Sequence, residues 1–364
     1  MADKSKKYFM CSKGRTARFW LALLFIGLMA AAVLFGPTAL KRFLSVEKDW
    51  EEESQSISAQ AKKAMTDVFV KIIRSSLSEN SGENKICLPA SDYLLLTAMA
   101  ERVSGESREE ILNILGMDNM EDAEQNAKYL WAAVQGSDEE CELFTLKWQG
   151  SLISSIDVKA KWSSFSRLNS QKGWFYTAES TEHPTFMKRQ IVSRWHWIGN
   201  DFRASMVLMK NEMSLWFILP EKGLSPEETV VKEEFAAFLQ EQIFRTRTNQ
   251  EAILADYSIP RFSFAAENDP RSSFERMGIV KCFTLENDDI EESAQNRGIS
   301  LGRQIVNIKV NEEGINRNAF PRLSPDHNDP HSEQVVEFML NRPFLFILMG
   351  RDGIPVFAGV VNDP

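Results

Sequence analysis

Residues 304–310, Gln-Ile-Val-Asn-Ile-Lys-Val, alternate polar and apolar side chains with the period of two expected of a half-buried strand. They run into Asn311-Glu312-Glu313-Gly314, after which residues 315–333 carry Pro321, Pro325 and Pro330 among Asn, Asp and His residues, the pattern of neither strand nor helix. Loops of that length inside a compact domain are uncommon and usually functional. Beyond it, residues 335–338, 344–348 and 355–361 read as strands again. The chain must therefore leave a sheet, make a long exposed excursion and return, so residues 310–314 read as a hinge.

The 364 residues, 43% of them apolar, suffice for one large core or two ordinary ones. No Gly/Ser/Pro-rich linker and no fixed-period repeat divides residues 60–364, which favours one globular domain. Ahead of it, residues 19–40 are uncharged and largely apolar, long enough to cross a hydrocarbon core about 30 Å thick. Residues 1–18 carry Lys4, Lys6, Lys7, Lys13, Arg15 and Arg18 against Asp3, a bias that keeps them cytoplasmic and sends the large domain across. The expected organisation is a cytoplasmic basic leader (1–18), a single-pass transmembrane signal anchor (19–40), a juxtamembrane stalk (41–59) and an extracytoplasmic domain (60–364). A signal peptide cleaved near residues 30–32 or 37–39, giving a secreted protein, is the alternative. Without its basic leader the chain is more acidic than its overall −9, which argues against a nucleic-acid partner.

Within the domain, Ala64, Met65, Val68, Phe69, Ile72, Ile73 and Leu77 recur at helical spacing. Residues 91–103 form a second helix, apolar nearly all round, and 106–115 a third, stopped by Gly116. From residue 202 the pattern becomes strand-like, with 204–209, a turn at Asn211 and 214–219. Helices early and antiparallel strands late give an α+β class.

Six short segments in order resemble the serpin family. Pro89 and Ser91 match its Ser-Pro-x-Ser helix start, and Gly105-Glu106-Ser107-Arg108-Glu109-Glu110-Ile111 its Gly-x-Thr-x-x-x-Ile. Lys159-Ala160-Lys161-Trp162 is similar to Lys-Gly-x-Trp, and residues 213–221 to a strand ending in Leu-Pro. Ile259-Pro260-Arg261-Phe262 and residues 277–283 are similar to its Leu-Pro-Lys-Phe and Leu-Gly-Ile segments. The resemblance implies N-terminal helices, a central β-sheet, further antiparallel sheets and an exposed reactive-type loop near the C-terminus. Only about 45 residues separate Gly116 from Trp162. Residues 142–148 and 151–158 are therefore expected to be neighbouring strands, with intervening family elements deleted and the central sheet reduced.

In inhibitory serpins a protease cuts the loop, and its hinge end then inserts as a new middle strand of the central sheet. This is strand addition coupled to release of stored strain, and it needs small side chains facing the core. Here Glu312, Glu313 and Gly314 keep the hinge, but Ile315, Asn316, Arg317, Asn318, Ala319, Phe320 and Pro321 follow. Strand alternation places Ile315, Arg317, Ala319 and Pro321 on the face to be buried. Burying Arg317 unpaired costs on the order of several kcal/mol, and Pro321 cannot donate to a central ladder. The hinge is thus expected to be one whose strand no longer inserts.

The resemblance also implies a polar sheet-opening region. Ser91 keeps one of its serines, Leu88 replaces the other, Ser154 stands where the family has Asn, and Gln304 where it has His. Trp162 matches the tryptophan beneath the hinge or is simply a core aromatic. Candidate bait residues are Arg317 and Arg322, suited to trypsin-like proteases, and the His327-Asn328 bond, where the family's loop count falls.

Other chemistries are poorly represented. Cys11 lies in the leader, and Cys87, Cys141 and Cys282 show no CxxC spacing and imply no disulfide framework. Asp326, His327, Asp329 and His331 are possible ligand types, but a proline-rich loop lacks rigid support, and no metal or cofactor is assigned. No phosphate loop, HExxH or GxSxG motif occurs, so no enzyme is expected. The sequence reading is a membrane-anchored binding module for a protein partner, protease trapping being weakened or lost. A suicide inhibitor of a serine-type endopeptidase is the alternative.

Overall fold

The computed structural model describes residues 57–79, 81–135, 145–148, 152–155, 160–161, 169–209, 213–245, 250–284, 301–302, 304–312, 314–315 and 335–364. Among them no helix is long and apolar enough to cross a membrane. The leader, the expected anchor at 19–40 and most of the stalk lie outside the described residues, as does the loop from 316 to 334.

Helix α1 (Ala59–Leu77) starts where Ser58 accepts a hydrogen bond from the Ala61 amide at 3.0 Å, satisfying an otherwise orphaned donor. Its Met65, Val68, Phe69, Ile72, Ile73 and Leu77 are buried, the stripe that the spacing predicts. Arg74 on the same helix donates to the carbonyls of Val230, Val231 and Lys232 at 3.0, 2.9 and 2.7 Å. These are the terminal carbonyls of the short Pro226–Val230 helix and its exit, where a cation is favoured. Helix α2 (Pro89–Arg102) places Pro89 in its first turn, where a missing amide costs nothing, and is buried on nearly all sides. Helix α3 (Gly105–Leu115) ends on Gly116 in the left-handed region, φ 67°.

The segment after Gly116 is a correction to the sequence reading. Met120–Gln135 forms helix α4, with Ala123, Ala127, Leu130 and Val134 buried at helical spacing. Asn119 accepts from the Asp122 amide at 2.9 Å and so caps its start. A helix thus occupies part of the stretch in which deletion was expected. The two expected strands are neighbours: Thr145–Trp148 pairs antiparallel with Leu152–Ser155, Leu146 opposite Ser154.

The fold is α+β. One six-stranded antiparallel sheet runs in the order Lys85–Cys87, Pro355–Val361, Phe344–Met349, Ser214–Pro220, Phe202–Leu208 and His196–Ile198. Strands Ser214–Pro220, Phe344–Met349 and Pro355–Val361 are almost wholly buried and accordingly read as continuous apolar runs. A four-stranded sheet pairs Val335–Met339, Ile253–Pro260, Thr185–Ser193 and Ser170–Lys172, the first two being parallel. A third sheet contains Phe262–Asn268, Gln304–Asn311, Gly314–Ile315 and Ala160–Lys161 in that order.

Phe262 joins the third sheet to the first. Its ring lies 5.8 Å from that of Phe344 and 5.5 Å from that of Phe346, within aromatic contact distance. Gly359 holds the other side of this packing: a Cβ there would stand 2.5 Å from the Phe346 ring and 2.6 Å from the Lys85 carbonyl oxygen. The contact involves backbone and a packed ring, so neither neighbour can yield cheaply. Gly359→Ala is expected to lower the unfolding free energy by roughly 1–3 kcal/mol, read as a lower midpoint in urea denaturation.

Candidate functional site

The Gln304–Asn311 strand behaves as its alternation predicts: Gln304, Val306, Ile308 and Val310 are buried, while Asn307 and Lys309 are exposed. Along one edge it pairs with Phe262–Asn268 throughout, from Gln304 opposite Asn268 to Val310 opposite Phe262. The chain turns at Glu312, whose side chain is only 4% exposed. Arg261 donates to its carboxylate from Nε at 2.9 Å and Nη2 at 2.5 Å, and Ser170 Oγ donates to the same oxygen. Burial pushes the Glu312 carboxyl upward, but the hydrogen bonds from Arg261 and Ser170 outweigh it and leave the group below the usual glutamate range. The charged form is therefore the one the fold holds.

Gly314, with φ 117°, lies in a region that side chains rarely adopt and lets the backbone reverse. Gly314–Ile315 then runs back antiparallel to the strand just left, Asn311 opposite Gly314 and Val310 opposite Ile315. Its other edge pairs with Ala160–Lys161, Gly314 opposite Lys161 and Ile315 opposite Ala160. Two residues past the turn thus stand in the middle of the third sheet. This short pairing precedes the residues on which the expectation of a strand that no longer inserts rests. The sequence objections start at Arg317, which lies outside the described residues with Glu313, Arg322, His327, Asn328 and Trp162.

A second polar layer lies at the opposite end of the Gln304–Asn311 strand. Gln304 is 1% exposed, and its Nε2 donates to Asp92 Oδ1 at 2.9 Å. Asn268, its partner across the strands, donates to Gln304 Oε1 at 2.8 Å. Ser91 and Asp92 are fully buried in the first turn of α2. The residue that Gln304 holds is Asp92, next in the chain to Ser91. Ser154 lies on the Leu152–Ser155 strand, which is adjacent to both α2 and Gln304–Asn311. Burial raises the Asp92 carboxyl to about 7, the Gln304 donor opposing the shift.

Sequence reasoning missed four residues here: Asp92, Asn268, Arg261 as a hinge clamp, and Ser170. Asp92 could have been found as the acid inside the otherwise uncharged 86–96 run. The others depend on strand register. Among the described residues no group of three or more His, Cys, Asp or Glu side chains is placed to hold a metal, and Cys87 and Cys282 are free and buried. Residues 326–331 and Cys141 lie outside the described residues.

The family model described as Serpin (serine protease inhibitor) matches residues 144–364, more than half of the chain. The chain belongs to the serpin family. This serpin is 25% identical over 226 residues to Serpin B11 of Mus musculus, covering 58% of this chain and 55% of the relative. It is 24% identical over 222 residues to alpha-1-antiproteinase F of Cavia porcellus, covering 59% and 52%. With the thyroxine-binding globulin of Rattus norvegicus it shares 23% over 221 residues, covering 58% and 51%. The chain spans about half the length of these curated relatives. In fold it is similar to the native thermophilic serpin tengpin, with a TM-score of 0.70 at 15% identity over 86% of this chain and 96% of that one.

The Glu312 clamp has a defined pH signature. Its carboxyl lies lower in the folded than in the unfolded chain, so its stabilisation is present above the ordinary glutamate value and is lost as pH falls through the folded value. Arg261→Ala is expected to cost roughly 1–3 kcal/mol at pH 7 by leaving a buried carboxylate short of its donors. Glu312→Gln is expected to remove part of the acid-side loss of stability. Urea denaturation at a series of pH values checks both.

Proposed function

We propose that this serpin is a membrane-anchored, extracytoplasmic protein-binding module in which protease trapping is weakened or lost. The observation that carries the reading is the composition just past the hinge. Gly314–Ile315 fills the centre of the sheet, and continuing the same strand would bring Arg317 and Pro321 onto the buried face. An unpaired arginine there is costly and a proline cannot complete the ladder. Anchoring is supported by the uncharged run at 19–40 behind a basic leader.

A second reading is favoured by the same sheet. Because Gly314–Ile315 already pairs on both sides, the fold retains the geometry in which a longer strand is added, as a suicide inhibitor of a serine-type endopeptidase requires. Arg317, Arg322 or the His327-Asn328 bond would then be the bait. The relatives' names include both an antiproteinase and a thyroxine-binding globulin, so membership alone does not choose.

Mixing the full-length chain in detergent with trypsin-like, chymotrypsin-like and subtilisin-like proteases separates the two. The binding-module reading expects plain loop cleavage, no covalent complex on denaturing gels and a thermal midpoint that stays within a few degrees. A stable complex, or a large rise in the midpoint after cleavage, overturns it. Anchoring is checked by alkaline carbonate extraction of membranes: the full chain is expected in the pellet, and release of the full-length chain into the supernatant would contradict it.

A further inference from the structure

A cleft of about 500 Å³ opens between the tip of the hairpin formed by Phe175–Tyr176 and Thr181–Glu182, the Gly223–Glu228 segment, and the chain at Arg342 and at Asn362–Asp363. That volume falls in the range of small-ligand sites, roughly 300–1,000 Å³. None of its described lining residues belongs to the hinge or to the layer around Gln304.

Each wall is fixed by the fold. Phe175 pegs the hairpin to the core, fully buried with its ring 6.4 Å from that of Phe344, and the Tyr176 amide donates to the Asn341 carbonyl at 2.8 Å. The tip closes on Thr177 Oγ1, which accepts from the amides of Glu179 and Ser180 at 3.2 and 2.8 Å. On another wall, Ser225 and Glu228 form a capping box that sets the start of the Pro226–Val230 helix. Asn362 Nδ2 donates to Glu227 Oε1 at 3.0 Å and to the Glu83 carbonyl at 2.8 Å, which ties that helix to the end of the Pro355–Val361 strand.

The charges on these walls do not satisfy one another. Arg342 is half-buried and uses one of its five N–H groups, Nη2 donating to the Pro220 carbonyl at 2.7 Å. Among the described residues it makes no ion pair, and Glu221, the carboxylate that acts on it, is held by Arg203 at 2.8 Å. Glu227 is 3% exposed, and its Oε2 accepts no hydrogen bond among the described residues. Glu179 and Asp363 add exposed carboxylates to the lining. A buried carboxylate with an open oxygen and a half-buried guanidinium with open donors are each costly to leave unpaired. A simple anion drawn to Arg342 would meet the carboxylates, and a simple cation drawn to them would meet Arg342. A ligand that carries both charges meets neither penalty.

We propose that this cleft binds a short peptide with free termini, its carboxylate on Arg342 and its ammonium against Glu227 and Asp363. The open N–H groups of a guanidinium grip both oxygens of a carboxylate at once. At Gly82 and Gly223, both in the lining, nothing stands within 4 Å of where a Cβ would be, so the backbone is approachable by a peptide's amides. Tyr176, 51% exposed, presents an aromatic face to a peptide side chain. No covalent step is involved, and the inference holds whether or not protease trapping survives.

Equilibrium dialysis of the full-length chain in detergent tests this, with detergent alone as the blank and a pool of unblocked tripeptides of varied sequence as the probe. Mass spectrometry of the two compartments is expected to show saturable enrichment on the protein side. The same pool, N-acetylated or C-amidated, is expected to be held about tenfold more weakly or worse. Arg342→Gln, and Glu227→Gln, which still accepts from Asn362, are each expected to weaken retention of the unblocked pool by about tenfold.

No retention of any unblocked tripeptide at millimolar concentration overturns the proposal. Equal retention of the acetylated pool makes the cleft a plain anion site, and equal retention of the amidated pool a plain cation site; either overturns it. Unaltered retention by the two variants overturns it as well, because the peptides are then bound elsewhere. If these variants do not fold, Ala178→Trp takes their place, adding bulk to the cleft wall from an exposed position that makes none of its buried polar bonds. Retention is expected to fall in that variant too, and unchanged retention sinks the assignment.

Discussion

The bond between Glu312 and Arg261 fixes where the third sheet stops and the excursion begins. Glu312 follows the last paired residue of its strand, and Arg261 immediately precedes Phe262, the residue opposite Val310. The clamp therefore ties the end of one strand to the start of its neighbour, with Ser170 adding a link to the four-stranded sheet. A carboxylate this buried is tolerable only because its donors are charged and well aimed. With the turn so defined, Gly314 can reverse the backbone at one place, and the two residues beyond it meet Ala160–Lys161 in register. The aromatic junction of Phe262 with Phe344 and Phe346 anchors the same corner to the main core.

Much of this was legible in the sequence because it rests on periodicity. The strand ending at the hinge, the stripe on α1, the all-apolar α2 and the glycine that ends α3 each follow from local pattern and steric rules. The 120–135 helix was equally written in Ala123, Ala127, Leu130 and Val134. It was overlooked because the short distance from Gly116 to Trp162 was weighed against a family plan, and a count of missing residues says nothing about which elements are missing.

The site was less legible for a different reason. Ser91 and Gln304 were expected in one polar region, but which neighbour accepts the Gln304 amide depends on the rotation of α2 and the height of the strand, not on either local sequence. Asn268 joins only through register with a strand far along the chain. Arg261 reads locally as a basic residue between a proline and a phenylalanine. Only the tertiary fold brings it to the hinge glutamate.

The short Gly314–Ile315 strand changes how the third sheet should be regarded kinetically. Adding a strand to the middle of a sheet ordinarily carries a nucleation cost, since backbone must be ordered before ladder bonds repay it. In this molecule that nucleus is already assembled, with partners on both sides. Any further zippering is thus a propagation problem, governed one residue at a time by whether the next side chain can be accommodated.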